Sequence, residues 1–342
     1  MTCAQSAQDQ GNSMALLLNR KDVQKLLTMS DAVAAVEGAF SELAAGTAVM
    51  PDRTVITDPE VGAWVGFMPA YLKSSGAVGI KAVTVYKDNP KKFNLATTLG
   101  TIILLDQKTG KAVSVMDAGY LTAVRTGAVT GVATKHLARK DVKVAGVLGA
   151  GVQARTQVLG MCAARRFEKV LVFAMDPIDK MKAFADGLAK DVNVKVELAK
   201  SGEELIRSSD VISLATTAVN PIVDGGWFKA GAHINGIGSH TPGVRELDTK
   251  TLLRSKVICD SKKACLIEAG DIIIPIKAGE YAADRIHGDL GDVINGKTRG
   301  RSSDSEITLF KSVGLAIQDM SCASLVYKKA LESKVGVDFE FG

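Results

Sequence analysis

Apolar positions recur at helical spacing in the first folded stretch of the chain and at strand spacing soon after it. From Ser30 onward, apolar residues return every three or four positions, which predicts a helix. Residues 55–115 instead contain short β-rich segments, such as Gly79–Tyr86 and Thr98–Leu105, which turn signals separate. A long helix is predicted next, over Gly119–Ala138.

Beyond Lys140 the pattern changes to strands that alternate with helices. Strand Val142–Gly149 leads into a helix that ends near Arg166, and strand Lys169–Met175 leads into another helix. This alternation is typical of a parallel sheet with crossover helices. A final helix is predicted from Ile307 to Glu332, and its length indicates that it returns to the first part of the chain.

These patterns predict an α/β fold. A Rossmann-type doubly wound parallel sheet domain would comprise residues 131–306. A smaller α+β domain would comprise residues 14–130 together with residues 307–342. Residues 1–13 are polar and aperiodic, which indicates a flexible tail, and Met1 and Met14 both stay open as the translation start.

Composition narrows the class of protein. With 46% hydrophobic and 23% charged residues among 342, the chain is typical of a globular protein. No apolar run is long enough for a membrane helix. The net charge of +5 comes from well-mixed charges and does not indicate a nucleic-acid partner. Five scattered cysteines and the lack of a secretory signal pattern favour the cytoplasm.

A glycine-rich turn follows the strand that begins at Val142. Residues 149–154 read Gly-Ala-Gly-Val-Gln-Ala, and a predicted helix starts within them. Glycine permits the tight turn and the approach of a pyrophosphate, and the helix start offers free N–H groups. The sequence therefore predicts a dinucleotide site at Gly149, Ala150, Gly151, Val152 and Gln153.

Asp176 follows the second strand of this unit. It lies near the distance at which an acid binds the adenosine ribose of NAD. The alternative is that Asp176 caps the helix that starts beyond Pro177. NAD is favoured, and NADP is not excluded.

Three cations stand in unusual positions. Lys81 interrupts a strand on the face of Val83 and Val85, so it either meets an anion or protects a sheet edge. Arg125 lies on an apolar helix stripe, where a guanidinium is usually snorkelling or paired. Arg53, in a loop, is less distinctive by itself.

His240 follows the predicted strand that starts at His233. Ligands of doubly wound sheets bind beyond the carboxyl ends of strands, so His240 could exchange a proton there. Alternatively it is a turn histidine bound to backbone. No set of His, Cys, Asp and Glu has the spacing of metal ligands.

Several stretches together make the chain resemble the ornithine cyclodeaminase/μ-crystallin family, which includes archaeal-type alanine dehydrogenases and cyclic ketimine reductases. The resemblance covers nearly everything from Met14 onward. It is carried by Gly79-Ile80-Lys81, Leu121–Ala128, the glycine turn, Ile237–Gly243, Gly288-Asp289-Leu290-Gly291 and Ile307–Gly314.

The resemblance implies a homodimer, in which the smaller domain provides substrate binding and dimerisation. It also implies that Arg53, Lys81 and Arg125 surround a substrate carboxylate, with Lys81 nearest the reacting atoms. Because Lys81 would lie beside two arginines, its pKa is expected to be lowered. The same resemblance implies that Thr126 faces the cofactor phosphates and that Thr216 and Ser312 line the dinucleotide cleft.

One position departs from part of the family pattern. Members that act on ornithine, and the archaeal alanine dehydrogenases, carry an aspartate where this chain has His240. A histidine does not supply the same fixed negative charge. This difference weakens ornithine cyclodeamination and, to a smaller degree, the use of alanine.

The expected function is that of an NAD(P)H-dependent imine reductase or amino acid dehydrogenase, with hydride transfer at the α-carbon of a small α-imino or α-amino acid. The substrate, the physiological direction and the proton donor, Lys81 or His240, stay open. The alternatives are an ornithine or lysine cyclodeaminase that uses NAD⁺ catalytically, and a non-catalytic dinucleotide-dependent binding protein of the μ-crystallin type.

Overall fold

The computed structural model describes residues 14–341, so the tail predicted for residues 1–13 lies outside the described part. The strands, in chain order, are β1 (Ala15–Leu18), β2 (Ala48–Val49), β3 (Thr54–Asp58), β4 (Ala63–Leu72), β5 (Ala77–Tyr86), β6 (Thr98–Leu105), β7 (Ala112–Asp117), β8 (Val144–Leu148), β9 (Lys169–Phe173), β10 (Lys195–Leu198), β11 (Val211–Leu214), β12 (His233–Gly236), β13 (Ser255–Cys259), β14 (Ile286–Asp289), β15 (Ile307–Lys311) and β16 (Val337–Phe339).

The helices, in the same order, are α1 (Arg20–Leu26), α2 (Met29–Ala44), α3 (Asn89–Lys92), α4 (Gly119–Leu137), α5 (Val152–Ala164), α6 (Ile178–Val192), α7 (Gly202–Ser208), α8 (Thr249–Arg254), α9 (Lys262–Glu268), α10 (Gly270–Lys277), α11 (Leu290–Ile294) and α12 (Ala316–Ser333). None of the helices in residues 14–341 combines the length and the apolar character needed to cross a bilayer.

The first sheet has the strand order β16-β1-β7-β6-β5-β4-β2, and β3 pairs with the free part of β4. All of its pairings are antiparallel except β1 with β7. Its strands alternate buried and less buried residues, as expected for a sheet covered on one face. Helix α12 packs across β4, β5 and β6 on the buried face, and α2 and α4 pack beside it.

The second sheet has the order β10-β9-β8-β11-β12-β15-β13-β14, and all of its pairings are parallel. The chain reverses the direction in which it adds strands at β8, so a switch point lies between β8 and β11. Ligands of doubly wound sheets bind at the carboxyl ends of strands beside such a point. The predicted α/β, Rossmann-type fold class is confirmed.

The prediction of a helix from Ile307 was wrong for its first residues. Residues Ile307–Lys311 form β15, which lies between β12 and β13 in the second sheet, and every residue of it is buried. A short run without a polar face is the pattern of a strand covered on both sides. The chain therefore leaves the second sheet after Lys311, later than the boundary predicted at residue 307, and α12 begins at Ala316. The two-domain division itself stays a prediction.

Helices α4 and α5 pack backbone against backbone. A Cβ at Gly127 would overlap the carbonyl oxygen of Thr156, and a Cβ at Gly160 would overlap that of Gly127. Gly131 lies in the same contact, with its Cβ position 2.8 Å from the carbonyl oxygen of Gly160. This close approach joins the helix under the first sheet to the helix that follows the glycine turn.

We expect Gly160→Ala to lower the free energy of unfolding by about 1–3 kcal/mol, because the new methyl meets backbone that has no room to move. Gly38→Ala is the matched control. Gly38 is exposed inside α2 with open space around its Cβ position, so alanine there should stabilise the protein by about 0.5–1 kcal/mol. Urea denaturation of both variants measures the difference, and equal shifts would contradict the close contact.

Candidate active site

The glycine turn connects β8 to α5 at the switch point. Gly149 has φ +119°, and a Cβ there would lie 2.6 Å from the carbonyl oxygen of Ala215, just beyond β11. Gly151 is the N-cap of α5; no side chain caps the helix there, and nothing lies within 4 Å of its Cβ position. Uncapped N–H groups that face open space suit the phosphates of a dinucleotide.

The other predicted members of the turn differ in exposure. Val152 is 65% exposed, and Ala150 and Gln153 are half-buried. Ala154, at the next position, is fully buried, so the helix stays close to the strand. Residues 150–153 therefore form the solvent-accessible part of the turn.

Asp176 lies three residues beyond β9 and is half-buried. Its carboxylate accepts a hydrogen bond from Lys180 Nζ at 2.5 Å. The N-cap of α6 is Pro177, and no side chain makes a capping hydrogen bond there. The helix-capping alternative for Asp176 is therefore wrong, and its predicted contact with a ribose stays a prediction.

The three hydroxyl residues predicted near the cofactor already donate hydrogen bonds within the chain. Thr126 donates to the carbonyl of Thr122, one turn earlier in α4. Thr216, after β11, donates to Glu246 at 2.7 Å, and Ser312, after β15, donates to Asp260 at 2.7 Å. The hydroxyl oxygens of Thr126 and Ser312 stay available as acceptors, whereas that of Thr216 already accepts a hydrogen bond from the backbone N–H of Ala218. The cofactor contacts of all three residues stay predictions.

Two buried carboxylates hold the ends of these strands together. Glu246 accepts hydrogen bonds from the backbone of Thr216 and of Gly238, both at 2.7 Å, so it joins the segments after β11 and β12. Burial and the nearby Asp271 carboxylate raise the pKa of Glu246 to about 7. Behind it, Lys311 Nζ lies 2.7 Å from Asp271, and both side chains are fully buried.

Lys81 and Arg125 meet at one buried carboxylate. Lys81 Nζ lies 2.7 Å from one oxygen of Asp319, on α12, and Arg125 Nε lies 3.0 Å from the other. Lys81 is 1% exposed and lies on β5, between β4 and β6. The sheet-edge alternative for Lys81 is therefore wrong. Arg125 also donates to Gln318 at 2.5 Å, so it is a paired arginine.

Burial lowers the pKa of Lys81 to about 7. The Asp319 carboxylate opposes this shift, whereas the positive charges of Arg125 and Arg53 add to it. The lowered pKa expected from the sequence is confirmed in direction, but its main cause is desolvation rather than the two arginines. A lysine of this kind is ionised or neutral according to small changes in its surroundings.

Arg53 reaches the same place from the loop before β3. Its Nε lies 3.1 Å from Glu268, and its Nη2 donates to the carbonyl of Gly314 at 2.6 Å. Gly314 has φ +83°, and a Cβ there would lie 2.6 Å from Arg125 Nη1. The two arginines therefore lie on opposite sides of Gly314. With 15% of its side chain exposed, Arg53 is not a solvated loop arginine.

Asp260, at the end of β13, fixes this glycine. One of its carboxylate oxygens accepts hydrogen bonds from the backbone N–H groups of Val313 and Gly314, each at 2.8 Å, as well as from the Ser312 hydroxyl. The segment that joins the second sheet to α12 is thereby held from within the second sheet.

A cavity of about 580 Å³ opens beside Arg53, whereas Lys81 and Arg125, both almost fully buried, do not line it. Arg53, Glu268, Gly314 and His240 line it, and most of the remaining wall is apolar. The apolar part consists of Met50, Pro51, Val55, Trp64, Met68, Val85, Pro242, Ala264, Ile267, Leu315 and Ala316. Such a cavity suits a small molecule with one anionic end and an apolar body.

His240 lies at the exposed side of this cavity. Its Nδ1 is 3.0 Å from the carbonyl oxygen of Gly238, so it is both a backbone-bound turn histidine and a pocket residue. Desolvation lowers its pKa, and the charges of Lys311, Arg53 and Arg125 act in the same direction. The lowered pKa favours the neutral form of His240 at neutral pH.

Within residues 14–341 no cluster of His, Cys, Asp and Glu could hold a metal ion.

Sequence reasoning missed the acidic members of the site. Asp319 lies on an apolar face of α12 with Ala316, Ala323 and Val326, so the criterion that singled out Arg125 would have found it. Glu268 and Asp260 carry no such signal, because each stands at the end of a short apolar run rather than within one.

The chain is similar to known proteins over nearly its whole length. The sequence profile of the ornithine cyclodeaminase/mu-crystallin family matches residues 13–334. The chain is 45% identical to Δ1-pyrroline-2-carboxylate reductase of Thermococcus litoralis, whose solved structure holds NADH and L-proline. That similarity has a TM-score of 0.91 and covers 95% of this chain and 100% of that chain.

Two further solved structures are similar over their full length. An archaeal alanine dehydrogenase dimer with bound NAD is 35% identical, with a TM-score of 0.90 and coverage of 96% of this chain and 100% of that chain. The iminosuccinate reductase of Paracoccus denitrificans in complex with NAD⁺ is 29% identical, with a TM-score of 0.89 and the same coverage.

We expect Asp319→Asn to lower the free energy of unfolding by about 3–5 kcal/mol, because Lys81 and Arg125 lose the carboxylate that compensates their burial. Asp88→Asn removes an exposed carboxylate, paired with Lys92, and should leave the urea midpoint essentially unchanged. A loss of similar size in both variants would contradict the assigned pairing.

Proposed function

Because the chain belongs to the ornithine cyclodeaminase/mu-crystallin family, we propose that it reduces a small cyclic α-imino acid of the Δ1-pyrroline-2-carboxylate class with NADH. The recognition of this family from sequence motifs is confirmed, as is the class of oxidoreductase that acts on C=N bonds. The single observation that carries the proposal is the position of Arg53 in the wall of a largely apolar cavity. Arg125 lies on the other side of the lining residue Gly314, and Lys81 shares the Asp319 carboxylate with Arg125.

The cofactor is NAD, as in the similar solved structures that hold NADH or NAD⁺. The residues present fit it, since the uncapped start of α5 beyond Gly151 faces open space. A nicotinamide dinucleotide supplies the hydride. We assign its phosphates to residues 149–153 and Thr126, its adenosine ribose to Asp176, and its nicotinamide half to the cleft at Thr216 and Ser312.

The three cations would bind the substrate carboxylate. Arg125 presents a planar guanidinium that can make two parallel bonds to a carboxylate, which a lysine cannot do. Arg53 lines the cavity, and Arg125 lies on the other side of the lining residue Gly314. A substrate carboxylate at Arg53 would therefore approach the pair that Lys81 and Arg125 form with Asp319. An anchored carboxylate holds the α-carbon in one position for the hydride.

The apolar walls favour a ring over a charged side chain. Trp64, Met68, Val85 and Ile267 surround the part of the cavity beyond the cations, and they match the methylene groups of a pyrroline or piperideine. His240 brings no fixed negative charge for the distal amine of ornithine. This combination supports the cyclic imino acid over both ornithine and the smaller alanine.

Lys81 or His240 would manage the proton on the substrate nitrogen. The pKa of Lys81 is about 7, so the lysine can deliver a proton and regain one near neutral pH. His240 reaches the cavity from its exposed side and is the second candidate.

The homodimer is supported by the outer face of the first sheet. On this face, Ile56, Leu99 and Ile103 are each more than a third exposed, and Val65 and Phe67 lie between them in register. Thr84 and Thr101 stand between these residues on the same face, so the face is mostly but not wholly apolar. Its exposed apolar side chains are suited to burial against a second copy of the chain. The cytoplasm is supported by the four cysteines of residues 14–341, all of which are free thiols.

The purified protein should oxidise NADH in the presence of Δ1-pyrroline-2-carboxylate and form proline. Pyruvate with ammonia should react more slowly. In Arg125→Lys, KM for the imino acid should rise about tenfold or more, because a two-bond clamp becomes a point charge. The exposed Arg299→Lys is the matched control and should leave KM unchanged. Conversion of ornithine to proline and ammonia with catalytic NAD⁺, without net NADH oxidation, would instead establish the cyclodeaminase.

The affinity for pyrrole-2-carboxylate, a planar analogue, should fall as the pH rises above about 7. Lys81 attracts the carboxylate only when protonated, below its pKa of about 7, and Glu268, whose pKa burial raises to about 7, repels it when ionised above that pH. The titration of each group changes Kd by up to about tenfold per pH unit, so the slope of log Kd against pH approaches two. In Lys81→Met it should approach one. Quenching of bound NADH fluorescence between pH 6 and 9 measures Kd, and equal slopes in the two proteins would refute the role of Lys81.

A further inference from the structure

Glu268 already occupies one face of the arginine that would receive the substrate. It is the last residue of α9, it lines the cavity, and its carboxylate lies 3.1 Å from Arg53 Nε. Arg53 Nη2 is held by the carbonyl of Gly314. Among residues 14–341, none accepts a hydrogen bond from Nη1 of Arg53, so that group stays available to a ligand.

The charges around the cations leave room for one further negative charge. In the ion pairs of this site, Arg53, Lys81 and Arg125 carry three positive charges when Lys81 is protonated, and their partners Asp319 and Glu268 carry two negative charges, which leaves one positive charge. The nearby Asp260 carboxylate is instead bound to Ser312 and to the backbone of Val313 and Gly314. One substrate carboxylate balances the remaining positive charge. Without Glu268 the same cluster would have two positive charges in excess, which is the complement of a dicarboxylate.

The other charged residues of the cavity wall do not change this balance. Asp52 pairs with Lys263 at 2.7 Å, and both side chains are about 70% exposed. Lys87 is exposed at the cavity rim. Exposed charges are screened by solvent and contribute little to the selection of a ligand.

We propose that Glu268 is a specificity-determining residue, which makes this cavity accept imino monocarboxylates and reject imino dicarboxylates. The inference rests on the proposed function, and it explains how one fold can serve different acids. A second carboxylate of the substrate, lying over the apolar part of the cavity wall, would approach Glu268. The two negative charges would repel each other in this partly desolvated space. An iminosuccinate reductase has a closely similar fold, so the fold alone does not determine which acid is bound, and the side chains of the cavity must select it.

The test measures binding to the protein–NADH complex at pH 8, where Glu268 is ionised. The probes are pyrrole-2-carboxylate and pyrrole-2,5-dicarboxylate, two planar acids that differ by one carboxylate. In Glu268→Gln, the ratio of the dicarboxylate Kd to the monocarboxylate Kd should fall about tenfold, because the repelling charge is gone while the side-chain volume is kept.

Asp52→Asn is the matched control, since it removes the same charge from the cavity wall without touching Arg53. Its ratio should stay within about twofold of the starting protein. An unchanged ratio in Glu268→Gln, or an equal fall in both variants, would overturn the inference. Because binding is measured without turnover, a failure to reduce Δ1-pyrroline-2-carboxylate would refute the proposed function and leave this result independent of it.

Discussion

The Asp319 carboxylate between Lys81 and Arg125 is the interaction on which the rest of the site depends. Two cations with almost no exposure require a carboxylate with good geometry, since an uncompensated buried charge is strongly destabilising. The three residues belong to β5, α4 and α12, which lie far apart in the sequence. The ion pairs therefore fix α12 against both the first sheet and α4. In the proposed reaction they would also limit how far a substrate carboxylate can enter the site.

The segment between β15 and α12 links this anion site to the dinucleotide side. The strand before this segment, β15, lies inside the second sheet. Asp260 accepts a hydrogen bond from the backbone of Gly314, and Gly314 separates Arg53 from Arg125. Only a few residues thus connect the cleft at Ser312 to the cations. The backbone N–H groups of residues 312–315 are all hydrogen-bonded, so this short connection holds the two arginines in a fixed position relative to the end of the second sheet.

Periodicity in the sequence was sufficient for the fold class and for the two cations Lys81 and Arg125, whereas Arg53 was indicated by the family resemblance alone. Lys81 and Arg125 interrupt apolar patterns of a strand and of a helix, and a buried charge on such a pattern requires a partner. The same reasoning was available for Asp319 and was not applied. The end of the second sheet was assigned wrongly, since β15 is a short apolar run whose neighbours β12 and β13 come from tertiary structure alone. Glu268 was beyond prediction, because its contact with Arg53 joins a helix end to a loop over 200 residues away in the chain.

The near balance of charge explains how three cations can be buried before any substrate arrives. Asp319 and Glu268 compensate two of them, and desolvation brings the pKa of Lys81 close to neutrality, so the third positive charge is only partly present in the absence of a ligand. An arriving carboxylate favours the protonated lysine, because an opposite charge at short range raises its pKa. In the proposed reaction, binding of the acid and uptake of a proton would therefore be coupled at Lys81. The proton that a reduced imine nitrogen needs would then be loaded by the same event that positions the α-carbon.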